Sequence, residues 1–223
     1  MLIGVDEVNY SPSLAGDCVV CALLALPGFE KVDGVKDSKQ TTHNERLRLF
    51  RGLQGRSLYA IVPATVNAIN NIGIHQPRLA AMAMAIRMLL WEAGEKGLNI
   101  GLSQGKAILD GPFSERALHK IRYGAGWARI EGLVNADETV YEVSAASIVA
   151  KVYVDAMFEG FGKFWPGFRM EINHGSPDKI AYAKICRVGA SPWHRTGYGK
   201  KWWEAIRKFG EGLYPKAKGG EER

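Results

Sequence analysis

Four acidic residues stand where apolar runs stop. Leu2 to Val5 ends in the adjacent pair Asp6 and Glu7, Ala107 to Leu109 ends in Asp110, and Trp127 to Val134 is followed by Asn135-Ala136-Asp137. Each run reads as a buried strand and each acid precedes a turn. Neighbouring side chains of a strand point to opposite faces, so Asp6 and Glu7 need polar company in two places at once. Adjacent carboxylates at a buried strand end also repel one another and resist desolvation. A cation relieves both problems. For one such strand end, acids facing solvent would be the simpler explanation; three in one sheet favour a shared acidic pocket.

Carboxylates without histidine or cysteine nearby in sequence suit hard, oxygen-ligated ions, Mg²⁺ or Mn²⁺. Two such ions about 3.5–4 Å apart can clamp an in-line phosphoryl displacement. Paired carboxylates also serve glycosidases, but aromatic sugar platforms are not evident near these acids. A serine nucleophile is disfavoured because no serine lies in a G-x-S-x-G turn.

The elements that must carry these residues are legible as a mixed α/β pattern. Cys18 to Leu26 and Leu58 to Val62 read as two further strands, and the short turn between the first two strands predicts an antiparallel opening. Thr42-His43-Asn44-Glu45 is a capping box that starts a helix running to about Leu53. Thr65 to Ile72, Pro77 to Ala93, Val143 to Phe158, Asp178 to Val188 and Trp202 to Phe209 read as helices. Met82, Met84 and Met88 on the second of these read as core filler. Strands alternating with helices place ligand sites at strand ends.

The chain has 223 residues, 47% of them hydrophobic, enough for one domain with a sizeable core. No run approaches the roughly 20 apolar residues of a membrane span, and the N-terminus lacks signal-peptide features, so a cytoplasmic location is expected. Cys18, Cys21 and Cys186 are too few for a four-thiolate zinc site and read as reduced core thiols. The net charge is +6, and the excess lies from Asp178 onward, where 11 basic residues face 5 acidic ones. Trp193, Tyr198, Trp202, Trp203 and Tyr214 interleave with those bases, a pattern that fits a nucleic-acid surface as well as it fits a solvated amphipathic helix.

From Ile3 to about Tyr198 the chain resembles type 2 ribonuclease H, ribonuclease HII. The resemblance rests on five motifs in order: Gly4-Val5-Asp6-Glu7 with Leu14-Ala15-Gly16, Val35-Lys36-Asp37-Ser38-Lys39, Leu109-Asp110-Gly111, Asp137 with Ser144 to Lys151, and Gly189 through His194-Arg195. It implies an RNase H-like five-stranded mixed sheet flanked by helices, with residues 1–175 as the catalytic domain and 176–223 as a basic, aromatic helical extension packed on it. It also implies a monomer that uses Mg²⁺ or Mn²⁺ at a two-metal site, with Asp6, Glu7, Asp110 and Asp137 as ligands. The expected activity is hydrolysis of RNA paired with DNA, leaving 3′-hydroxyl and 5′-phosphate ends. Asp37, Ser38 and Lys39 resemble a backbone-contacting loop, Lys151 a residue facing the site, and His194 and Arg195 a C-terminal element near substrate.

Departures fall on the recognition parts. Asn9, Tyr10 and Ser11 stand where the family usually has Gly-Arg-Gly, which reads the ribose 2′-hydroxyl beside the cut. Losing glycines restricts positive φ, and losing the arginine removes a bidentate phosphate contact. Ser176 stands where a sugar-stacking tyrosine is usual, Val154 replaces a frequent arginine and Ala181 a usual histidine. Cleavage of RNA/DNA hybrids is therefore expected, whereas incision of a DNA duplex at a single embedded ribonucleotide is not assumed. A non-catalytic nucleic-acid binder and a two-metal DNA nuclease on the same fold are the competing readings.

Overall fold

The computed structural model describes residues 1–10, 13–35, 41–98, 105–127, 129–198, 204, 206 and 208. Among them a five-stranded sheet runs in the order β3-β2-β1-β4-β5, with β1 at Leu2–Val8, β2 at Cys18–Ala25, β3 at Ser57–Ala64, β4 at Lys106–Asp110 and β5 at Ile130–Leu133. β1–β2 and β2–β3 are antiparallel, as the short first turn predicts, whereas β1–β4 and β4–β5 are parallel. β1 is thus central, and the parallel register Val5↔Leu109 leads directly into Asp6 and Asp110 on neighbouring strands.

The strand period of two decides what each acid can meet. Ile3 and Val5 of β1, Val20, Ala22 and Leu24 of β2, and Ala107 and Leu109 of β4 all enter one core, together with Met82, Ile86 and Leu89 of α3 (His75–Glu95) and Leu118 and Ile121 of α4 (Glu115–Ala125). Val19, Cys21 and Leu23 face the other way, onto Ala145, Ala146, Val149 and Phe158 of α6 (Tyr141–Phe164). Cys18 and Cys21 therefore lie on opposite faces, both buried. By the same alternation Asp6 and Asp110 share the α6 face, and Glu7 points to the α3 face.

The α6 helix lies unusually close to β1. A Cβ on Gly4 would fall inside the contact radius of the Glu142 carbonyl carbon and the Val143 amide nitrogen. Backbone meets backbone here, so only glycine is accommodated. This contact sets the height of α6 above Asp6.

Local signals account for several helix starts. Thr42 caps α1 (His43–Leu53) with the full reciprocal box, Thr65 caps α2 (Val66–Ile72), and, after the one-turn α7 (Met170–Asn173), Asp178 caps α8 (Lys179–Val188). Four expectations are corrected. Met84 and Met88 are 48% and 46% exposed, and only Met82 fills the core. Cys186 is exposed rather than buried. β5 is confined to Ile130–Leu133, because Trp127 belongs to the buried cluster that closes α4 and Val134 is exposed. Trp193 stacks on Phe161 at 4.3 Å between ring centroids, with Trp165 at its edge, so it joins the α6-side core instead of a nucleic-acid face. Tyr198 packs partly buried against both cores. The helix expected at Trp202 to Phe209 lies largely outside the described residues; Glu204, Ile206 and Lys208 are helical there. Trp202, Trp203 and Tyr214 also lie outside.

Candidate active site

On the α6 face, Ser144, Ser147 and Lys151 recur at helical spacings of three and four, which places them along one side of the helix. Each serves the acids. Ser144 Oγ donates to the Asp137 carbonyl at 2.6 Å. Ser147 hydrogen-bonds the Asp6 side chain, and Lys151 lies close enough to favour its ionised form. The Glu7 amide also donates to Asp6 Oδ1 at 2.8 Å. Asp6 is 6% exposed. Burial pushes its carboxyl up to about 6, against the Ser147 hydrogen bond, and the charge of Asp110 adds to the rise.

Asp110 Oδ1 accepts from the amides of Ala136, at 2.8 Å, and Asp137, at 3.4 Å. One carboxylate oxygen therefore caps the short helix α5 (Ala136–Thr139) and draws Asp137 alongside. Asp137 sits in the first turn of α5, beyond a left-handed Asn135 at φ 55°, and is 3% exposed. Asp6, Asp110 and Asp137 are thus gathered by β1, β4, α5 and α6.

Glu7 stands apart on the α3 face. Its Oε1 accepts from Arg78 Nη2 at 2.6 Å, with both side chains 10% exposed. The Arg78 guanidinium lies between two rings, 4.4 Å from the centroid of Tyr10 and 4.8 Å from that of Phe113. Burial raises the Glu7 carboxyl to about 8; Arg78 opposes this, while Asp6 and Asp110 reinforce it. Glu7 Oε2 and Arg78 Nε are buried without a hydrogen-bond partner.

This donor set has the chemistry of a hard-cation site: buried carboxylates, two of them with an oxygen that no hydrogen bond meets, and two, Asp6 and Glu7, raised above their ordinary range chiefly by burial. The spacing does not match that chemistry as the side chains stand. Among the described residues, no group of three or more acids, histidines or cysteines is arranged to hold one ion. Strand alternation turns Glu7 toward Arg78, on the other face from Asp6 and Asp110.

The turn after β1 is built from residues that replace the glycines. Asn9 adopts φ 65°, a conformation asparagine tolerates better than most residues, and its amide donates to the carbonyls of Ala15 and Asp17 at 2.9 and 2.8 Å. Arg195, fully buried, donates to the carbonyls of Gly16, Tyr10 and Asn9. His194 is 3% exposed, packs on Phe168, and is pushed down to about 4 by burial, against a hydrogen bond from the Ser191 amide. Neither side chain is presented to solvent; Arg195 braces the turn from beneath, while the His194 ring is held by Ser191. Ser176 is exposed, and its amide donates to the Asn173 carbonyl. Ser11, Asp37, Ser38 and Lys39 lie outside the described residues.

The model of the family Ribonuclease HII matches residues 3–204. The chain belongs to the ribonuclease HII family. It is 31% identical over 199 residues to ribonuclease HII of Acinetobacter baylyi, covering 89% of this chain and 94% of that one. The crystal structure of ribonuclease H2 from Pyrococcus horikoshii superposes with a TM-score of 0.70 at 24% identity, over 93% of this chain and 99% of that one. The structure of Bst ribonuclease HIII in complex with Mn²⁺ superposes at 0.67 and 18% identity, over 94% and 70%. Membership makes this chain an endoribonuclease of the ribonuclease H type. Among the described residues, no helix is long and apolar enough to cross a membrane.

Two features of this ribonuclease HII chain escaped the sequence reading. Arg78 lies on the stripe Arg78, Met82, Ile86, Leu89 that α3 turns to the core. A charge on an apolar stripe demands a buried partner, and that signal was available. The second is Asp155 of α6, which is 5% exposed. Its Oδ2 accepts from Arg46 Nη2 at 2.7 Å and pairs with His43 at 3.1 Å, and its Oδ1 pairs with His174 at 3.2 Å. This node ties α1, α6 and the 174–175 turn together. Burial raises the Asp155 carboxyl, but hydrogen bonds from His174, Arg46 and His43 outweigh it and hold the carboxyl well below the usual range.

The hydrogen bond to Asp155 raises His174 above its ordinary value near 6.5. The resulting stability is fully present below that value and is lost as pH rises through the folded-state pKa. Thermal unfolding followed between about pH 6 and 8 should show the midpoint falling over this range. Asp155→Asn should flatten that contribution. Because His174 is 41% exposed, solvent screening keeps the effect small.

Proposed function

We propose that this chain is a divalent-cation-dependent endonuclease that hydrolyses the RNA strand of RNA/DNA hybrids and leaves 3′-hydroxyl and 5′-phosphate ends. The observation that carries this reading is the placement of Asp6 and Asp110 on one face of adjacent parallel strands, with Asp137 tethered to Asp110 through its amide. Asp6, Asp110 and Asp137 would supply the donors for Mg²⁺ or Mn²⁺; the Mn²⁺ complex of ribonuclease HIII supports that cation class. Bound ions of this kind activate water and neutralise charge on a phosphoryl oxygen. Lys151, on the helix above Asp6, brings positive charge to the side where a scissile phosphate meets the acids. The basic C-terminal residues hold flanking backbone by charge alone.

Recognition of a single ribonucleotide in DNA is the weaker part of this activity. The turn carries Tyr10 in place of an arginine, and the Tyr10 ring is engaged with Arg78. Three labelled duplexes test the proposal side by side with Mg²⁺ or Mn²⁺: an RNA/DNA hybrid, DNA with one embedded ribonucleotide, and plain DNA. The hybrid should be cut fastest, the embedded ribonucleotide more slowly, and DNA not at all. Equal cleavage of plain DNA would overturn the substrate assignment, and binding of the hybrid without cleavage would overturn the enzymatic one.

A further inference from the structure

We infer that Arg78 is a built-in counter-ion of the acidic site: its guanidinium pairs with Glu7 and competes with divalent cations for that carboxylate. The inference rests on the proposed cation site and deepens it. Glu7 is the residue that the strand alternation separates from Asp6 and Asp110, and Arg78 is the group that receives it, at 2.6 Å and with both side chains 10% exposed. The pair is left incomplete on each side. Glu7 Oε2 lacks a donor and Arg78 Nε lacks an acceptor, although both are buried. A purely structural arginine–carboxylate pair at this depth would be expected to engage bidentately. A one-pronged contact with an orphaned oxygen beside it leaves Glu7 one lone-pair face for another cation.

The arginine is held independently of Glu7. Tyr10 and Phe113 flank its guanidinium at 4.4 and 4.8 Å, and cation–π contact of this kind retains a charge after its carboxylate partner turns away. Both rings come from the loops that follow acid-bearing strands: Tyr10 follows β1, and Phe113 follows Asp110-Gly111. The cradle is therefore part of the same strand-end cluster as the acids. Arg78 acts through Glu7 and is a positioning residue.

Competition for one carboxylate is a coupling between two ligands, and couplings of this sort typically change affinity about 5- to 150-fold. The test is calorimetric titration of Mn²⁺ into the full chain without nucleic acid, for the unmodified protein, Arg78→Met, Arg78→Lys and Asp110→Asn. Circular dichroism first shows which variants are folded. Arg78→Met should bind Mn²⁺ at least about fivefold more tightly than the unmodified protein. Its thermal midpoint should be lower in chelator and should rise more on Mn²⁺ addition. Arg78→Lys retains the charge and should stay within a fewfold of the unmodified affinity.

A structural role alone would lower the chelator midpoint and leave the Mn²⁺ dissociation constant where it was, and that result would overturn the inference. Should Arg78→Met fail to fold, Arg78→Gln takes its place with the same expectation. Loss of Mn²⁺ binding in Asp110→Asn, with unchanged affinity in Arg78→Met, would sink the role of Arg78 while sparing the cation site. Equal Mn²⁺ binding by Asp110→Asn and the unmodified protein would sink the cation site and this inference with it.

Discussion

Asp110→Asn is expected to reduce hybrid cleavage by at least about a thousandfold, because cation-held charge stabilisation is worth several kcal/mol of barrier and each 1.36 kcal/mol is a factor of ten. The fold should survive. Asp110 Oδ1 accepts from the Ala136 and Asp137 amides, and an asparagine carbonyl can accept the same two hydrogen bonds. Only the negative charge is lost, together with one oxygen proposed to hold the cation. Unfolding curves and cleavage rates of the same preparation separate the outcomes. A cooperative transition near that of the unmodified protein with activity gone assigns Asp110 to the chemistry, and retained cleavage removes it from the catalytic set.

The largest expected loss of stability comes from a position that carries no chemistry. Gly4→Ala places a methyl against the Glu142 carbonyl and the Val143 amide. Backbone on both sides cannot rotate away as a flexible side chain can, so α6 must lift from β1. Overpacking of this kind costs about 3 kcal/mol or more, which for a chain of this size lowers the thermal midpoint by roughly 6–12 °C. A helix that lifts also carries Ser147 and Lys151 away from Asp6. Whatever protein folds should therefore be impaired in cleavage, whereas exposed Gly94 of α3, which lies outside the positive-φ region and whose Cβ would meet nothing within 4 Å, serves as the control. An unchanged midpoint in Gly4→Ala would contradict the close α6–β1 contact.

The parts of the fold that follow from local rules were legible in the sequence. The Thr42 capping box, the apolar run of β2 and the antiparallel opening each rest on a few neighbouring residues, and each is present. The three acids of the α6 face were legible for the same reason, since each closes an apolar run or follows one. Residues whose role is set from a distance were not legible. Arg195 belongs to a C-terminal motif, and nothing in that segment says that its guanidinium reaches three carbonyls around the Asn9–Gly16 turn. Asp155 lies within an alanine-rich helix and meets partners 109 and 112 residues earlier in the chain. The exposure of Met84 and Met88 is a matter of helical phase: both fall on the side of α3 away from Met82.

Asn9 shows how a departure from the family pattern can be accommodated. Loss of glycine predicts strain at positive φ, yet the chain keeps the left-handed geometry by using asparagine and tying its side-chain amide to two carbonyls of the turn. The left-handed conformation at position 9 is thus adopted without a glycine there. Its chemistry is altered, because Tyr10 now engages a guanidinium that arrives from α3.

The ends left by cleavage test the central claim most directly, that carboxylates gathered at the ends of β1 and β4 direct water at a phosphodiester. A labelled RNA/DNA hybrid cut in the presence of Mn²⁺, with Asp110→Asn as the reference, should yield fragments bearing 3′-hydroxyls that a polymerase extends without prior phosphatase treatment. Fragments ending in 2′,3′-cyclic phosphate would mean that the ribose hydroxyl, and not water, had attacked, and would contradict the account.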